Sequence, residues 1–144
     1  MKKLLLILLL GVVSAWAAPV KNDEAIPPFP KTLTNAQYVY VTSYDGDEFN
    51  PNLWPEDRQA ISSVQEALQK SGKFTIVYRP REAEIVLMVQ SRPSEDLLAV
   101  YDAHGWPQNQ TYLWRVMRAN GLQPGETPLV TEFLQAFQKA AATK

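Results

Sequence analysis

Ile85-Val86-Leu87-Met88-Val89 is an unbroken run of five apolar residues, entered through Ala83-Glu84 and left through Gln90-Ser91-Arg92-Pro93. A strand with one wet face alternates apolar and polar side chains, whereas an unbroken run marks a strand covered on both faces. The run is shorter than the roughly 10–12 residues of a core helix, so it predicts a central strand. Toward the N-terminus, Phe74-Thr75-Ile76-Val77-Tyr78 alternates and stops at Arg79-Pro80-Arg81, which makes it another strand. Before it, Pro55, Glu56 and Asp57 stand where a helix start prefers proline and acids. Ala60, Ile61, Val64, Ala67 and Leu68 then recur at helical spacing, and Gly72 ends that helix. Earlier still, Tyr38, Tyr40 and Thr42 alternate with Val39, Val41 and Ser43, a first strand closed by the turn-forming run from Tyr44 to Asn52.

Toward the C-terminus, Leu97 to Tyr101 and Thr111 to Met117 read as two further strands joined by a long turn, with Trp114 alternating between Tyr112 and Val116 as a core residue does. After the Gly121-Leu122-Gln123-Pro124-Gly125 turn, Thr127 and Pro128 open a last helix whose stripe is Leu129, Val130, Phe133, Leu134 and Phe137. The order is β-α-β-β-β-β-α. It predicts an α/β fold (α+β by another convention) with a single mixed sheet packed by two helices.

The 144 residues leave room for one domain, expected over 36–144. Residues 1–17 read as a signal peptide: Met1-Lys2-Lys3 is positive, Leu4 to Val13 is apolar, and Ala15-Trp16-Ala17 is the small-x-small box that signal peptidase cuts after. Residues 18–35, with Pro19, Pro27, Pro28 and Pro30, read as a flexible proline-rich tether, although Phe29 and Leu33 offer two apolar docking points. The expected location is therefore periplasmic or secreted, and the absence of cysteine leaves stability to packing alone. The sequon Asn109-Gln110-Thr111 is a chance match under this bacterial-type leader.

With 14 Lys+Arg against 15 Asp+Glu the chain has no basic footprint for nucleic acid, and beyond the leader nothing is long and apolar enough for a membrane span. His104 is the one histidine, too few imidazole or thiolate ligands for a zinc site. Asp45-Gly46-Asp47 opens like a calcium loop, but Phe49 and Asn50 occupy positions that need a ligand and a glycine. Phosphate-cradling glycine motifs and a G-x-S-x-G elbow are missing, so no cofactor and no catalytic residue is assigned. Two alternatives stay open. One is a small hydrolase using the carboxylates Asp45, Asp47, Glu48 and Asp102 with His104, and the other is a carbohydrate or small-ligand binder. Asp47 itself reads as a solvated turn residue whose loss costs little.

Trp54, just before the first helix, and Trp106, in the long turn, are the expected exposed aromatic pair. Arg115 and Arg118, near a strand end, suit a carboxylate-bearing partner. These four are the candidate binding residues, and a non-catalytic module for a protein or peptide of the cell envelope is the expected function.

Several phrases run in the same order as in a known kind of domain. Tyr38 to Tyr44, the helix ending Leu68-Gln69-Lys70-Ser71-Gly72-Lys73-Phe74, the run Ala83 to Val89, and Val100-Tyr101-Asp102 before a turn together resemble the N-terminal domain of TolB and related small envelope domains. The resemblance covers most of the chain after the leader, without the propeller that follows in TolB. It implies a non-catalytic binding module of the cell envelope, and it carries over no functional residue.

Overall fold

The computed structural model describes residues 26–143; the stretch 1–17 read as a signal peptide, and residues 18–25 of the expected tether, lie outside them. The elements are β1 (Tyr38–Ser43), α1 (Pro55–Ser71), β2 (Thr75–Val77), β3 (Ile85–Ser91), β4 (Asp96–Asp102), β5 (Trp114–Arg118) and α2 (Pro128–Ala142). One five-stranded mixed sheet runs β2-β1-β3-β4-β5, parallel across β2-β1-β3 and antiparallel across β3-β4-β5. The fold is α/β in the order β-α-β-β-β-β-α, with β3 in the centre as its unbroken apolar run requires.

The two sides of the sheet are covered by different means. Val39, Val41, Ile85, Leu87, Val89, Leu98, Val100, Trp114 and Val116 face both helices, meeting Ala60, Ile61, Val64 and Leu68 of α1 and Leu129, Val130, Phe133 and Ala136 of α2. The alternate residues, Tyr40, Val86, Met88, Leu97, Ala99 and Tyr101, form a second cluster, with Ala83 and Ala103 but no α-helix in it. Register accounts for this. Val86 lies between Tyr40 and Tyr101 in neighbouring strands, and Ala99 between Met88 and Arg115, so large side chains shield small ones.

Helix boundaries follow local chemistry. Pro55 sits in the first turn of α1 with Glu56 and Asp57, and Gly72 caps its end in the left-handed conformation, φ 68°, which costs glycine nothing. Gly121 is required for a different reason: a Cβ there would stand 2.5 Å from Leu129 Cγ at the start of α2.

Three sequence expectations are corrected. The tether does not extend to residue 35: Phe29 is 4% exposed and packs its ring on Trp114, Phe133 and Phe137, and Leu33 is buried as well. The Trp114 indole Nε1–H donates to the Pro27 carbonyl at 2.7 Å, so even the prolines there are tied to the core. The domain therefore reaches back at least to Pro27. The last strand begins at Trp114 rather than Thr111, because the residues before it belong to the turn. Asp47 is not a free turn residue: its Oδ2 accepts from the Tyr40 hydroxyl at 2.7 Å and its Oδ1 from the Phe49 amide at 3.1 Å.

Candidate functional site

The turn after β1 is a built structure. Ser43 and Gly46 close it by backbone hydrogen bonds, and the Arg58 guanidinium reaches back from α1 to the carbonyls of Glu48 and Asn50. Its carboxylates are all engaged. Asp47 holds Tyr40, Glu48 accepts from Gln65 Nε2 at 3.1 Å, and Asp45 faces Arg92 at 3.7 Å. Burial, then the hydrogen bond to Asp47, pushes the Tyr40 hydroxyl up to about 12. The Tyr101 hydroxyl is raised further, by burial first and then by the Tyr44 hydroxyl.

Asp102 and His104 stand at the other end of the sheet. Asp102 pairs with Ile85, where β3 begins, while the β1 turn follows Ser43, which pairs with Val89. Those levels differ by four residues, roughly 13 Å of strand. Asp102 Oδ1 accepts from the His104 amide and lies 3.0 Å from His104 Nδ1, so this carboxylate caps its own turn. The carboxylates weighed for hydrolysis thus belong to two separate turns: Asp45, Asp47 and Glu48 do not converge with the Asp102–His104 pair.

The four candidate binding residues also divide. Trp54 is 64% exposed and lines a cleft with Asp45, Glu56, Arg92 and Pro93 at the β3-β4 turn. Trp106 lies beyond the opposite end of β4, a strand of seven residues and so roughly 20 Å away. It is half-buried, its ring edge-to-face with Tyr101 at a centroid distance of 5.0 Å. The expected aromatic pair is two separate features. Arg115 and Arg118 do share one element, the edge strand β5, on opposite sides of the sheet. The Arg115 guanidinium lies 4.6 Å from the centre of the Tyr112 ring, and Arg118 is ion-paired with Glu132 of α2.

Sequence reasoning passed over two buried acids. Asp57, 1% exposed, accepts from the Ser91 amide and pairs with Arg92 at 3.2 Å, and Asp96 accepts from Ser91 Oγ and the Leu122 amide. They fasten α1 and the turn before α2 to the β3-β4 hairpin. Neither stood out from its charged neighbours: Asp57, between Glu56 and Arg58, read only as a helix-start acid, and Asp96, after Glu95, stood just outside the expected strand. Tyr44, Phe49 and Tyr78 were also missed as surface aromatics; Phe49 and Tyr78 meet edge-to-face at 6.4 Å while each stays at least half exposed.

Both sheet edges lack a further strand among the described residues. β2 is three residues long, too short to template much pairing. β5 has five residues, Trp114-Arg115-Val116-Met117-Arg118, with no proline or glycine to interrupt a ladder. Trp114 and Val116 are buried toward the helices, while Arg115 and Met117 stand on the helix-free side, Met117 40% exposed.

Comparison with known proteins adds no relative: no family model, no curated protein and no solved structure matches the chain.

Proposed function

We propose that the chain is an exported, non-catalytic binding module that takes an extended segment of another protein as an added strand along β5. Export rests on the reading of residues 1–17. Binding rests on one observation, the uninterrupted outer edge of β5. Natural edges are guarded by charge, by proline or by bulges. Here the only charges are Arg115 and Arg118, one drawn over Tyr112 and the other toward Glu132. Strand addition takes affinity from main-chain hydrogen bonds and specificity from alternate side chains. On the helix-free side the incoming residues would lie beside Arg115 and Met117, which favours an acidic and an apolar side chain two positions apart.

Random heptapeptides displayed on phage and selected on the purified protein test this reading. Selected sequences should carry an acid and an apolar residue at i and i+2. A synthetic copy should slow amide exchange across Trp114–Arg118, and Arg115→Glu should weaken it by at least tenfold. Selected peptides that leave β5 exchange unchanged would overturn the proposal.

A further inference from the structure

Below the helix-free side, the crossover between β2 and β3 and the turn after β4 face each other across a cleft of about 540 Å³. Its walls carry Arg79, Arg81 and His104, and no carboxylate is among its lining residues. The floor is apolar. Ala83 and Ala103 are buried there, and the Trp106 ring is fixed against Tyr101. Pro80 and Pro107 stiffen the two rims, because each fixes its own φ.

The charges are unequally committed. Arg79 has Glu82 at 3.9 Å, at the limit of an ion pair, whereas Arg81 has no ion-pair partner among the described residues. Asp102 holds His104 by Nδ1, which leaves Nε2 as the free ring nitrogen. A cleft of this volume lies in the usual range for small ligands. Two guanidinium forks beside a fixed indole match a planar anion attached to an apolar group: the fork pairs with both oxygens of a carboxylate, and the indole takes the apolar body.

We infer that this cleft binds a carboxylate carried on an apolar group, either the last residue of a peptide or a free organic acid. The site is separate from the β5 edge and does not depend on strand addition there.

The test is an NMR titration that follows the Trp106 indole N–H, assigned by its disappearance in Trp106→Phe. The probes are N-acetylphenylalanine, its C-terminal amide, and N-acetyl-Ala-Ala-Phe. Both acids should shift the Trp106 signal and the amide should not. Arg81→Gln should weaken the acids at least fivefold while leaving the thermal midpoint unchanged, as expected of an exposed side chain. Tighter binding of the tripeptide than of the single amino acid assigns the site to a peptide terminus, and equal binding assigns it to a free acid. Equal response to acid and amide, or full affinity in Arg81→Gln, would overturn the inference. Neither result bears on β5, whose amide exchange reports strand addition independently.

Discussion

Phe29→Ala should lower the stability of the whole domain although the residue lies in a proline-rich stretch before the first strand. Phe29 is 4% exposed, and its ring centre lies 6.0 Å from Trp114, 5.7 Å from Phe133 and 5.4 Å from Phe137. Burying a phenylalanine removes roughly 150 Å² or more from water, and at about 25 cal/mol per Å² that contributes about 4 kcal/mol. Truncating such a ring in a core costs about 3–5 kcal/mol. Phe29 sits on a segment that can shift toward the space, so the expected loss is at the lower end, about 3 kcal/mol. With a urea m-value of roughly 1.5 kcal/mol/M, the midpoint should fall by about 2 M. Lys31→Ala, two residues on and exposed, should leave it in place. A chain shortened to begin at Asn35 should lose at least as much as Phe29→Ala, because it also frees the Trp114 indole from Pro27. An unchanged midpoint in Phe29→Ala would show that residues 26–35 are a free tether after all and that α2 packs without them.

Asp96→Ala should cost about 3 kcal/mol, since it leaves the buried Leu122 amide without its 2.9 Å acceptor, while Asp96→Asn keeps one oxygen and should cost about 1; denaturation midpoints compare them. Gly121→Ala should destabilise by about 2 kcal/mol, read as a lower thermal midpoint, because its methyl meets Leu129 at van der Waals overlap. Leu87→Asp should abolish cooperative folding in circular dichroism, as an unpaired carboxylate at a fully buried position costs several kcal/mol. Alkali should weaken the fold in a defined window. Tyr40 and Tyr101 hold their protons more tightly folded than unfolded, so their contribution is complete below about pH 10 and fades as pH rises toward about 12. Tyr40→Phe should flatten that part of the stability–pH curve measured by urea titration.

The order of elements and the central place of Ile85–Val89 were legible because covered strands and amphipathic helices leave periodic patterns along the chain. Strand order was not legible. Nothing local to Phe74–Tyr78 tells that β2 lies beyond β1 rather than beside β3, and nothing local tells that β4 runs antiparallel to β1 and β3, which puts Trp54 and Trp106 at opposite ends of the sheet. Phe29 read as no more than a local docking point for a related reason: a lone aromatic among prolines has no period, and its burial depends on a groove made by residues some hundred positions later. The arginines illustrate the remaining gap. Arg115 and Arg118 could be picked as candidates only by residue type; the structure shows where each guanidinium rests and that the strand carrying them is a sheet edge.

The division of the sheet into a parallel and an antiparallel half has a consequence for the order in which the chain assembles. β3, β4 and β5 are successive in sequence, and a short turn joins the first two, so their pairing closes small loops at low entropic cost. β1 pairs with β3 across 46 positions, Val39 with Ile85, and must wait until that distant strand is held in place. The antiparallel half is thus the natural nucleus, with β3 the template onto which β1 and then β2 are added. Substitutions in the β3-β4 pairs, such as Val100→Ala, should slow refolding, whereas Phe29→Ala should act almost wholly by speeding unfolding. Two substitutions that both lower equilibrium stability would then separate onto opposite limbs of a chevron.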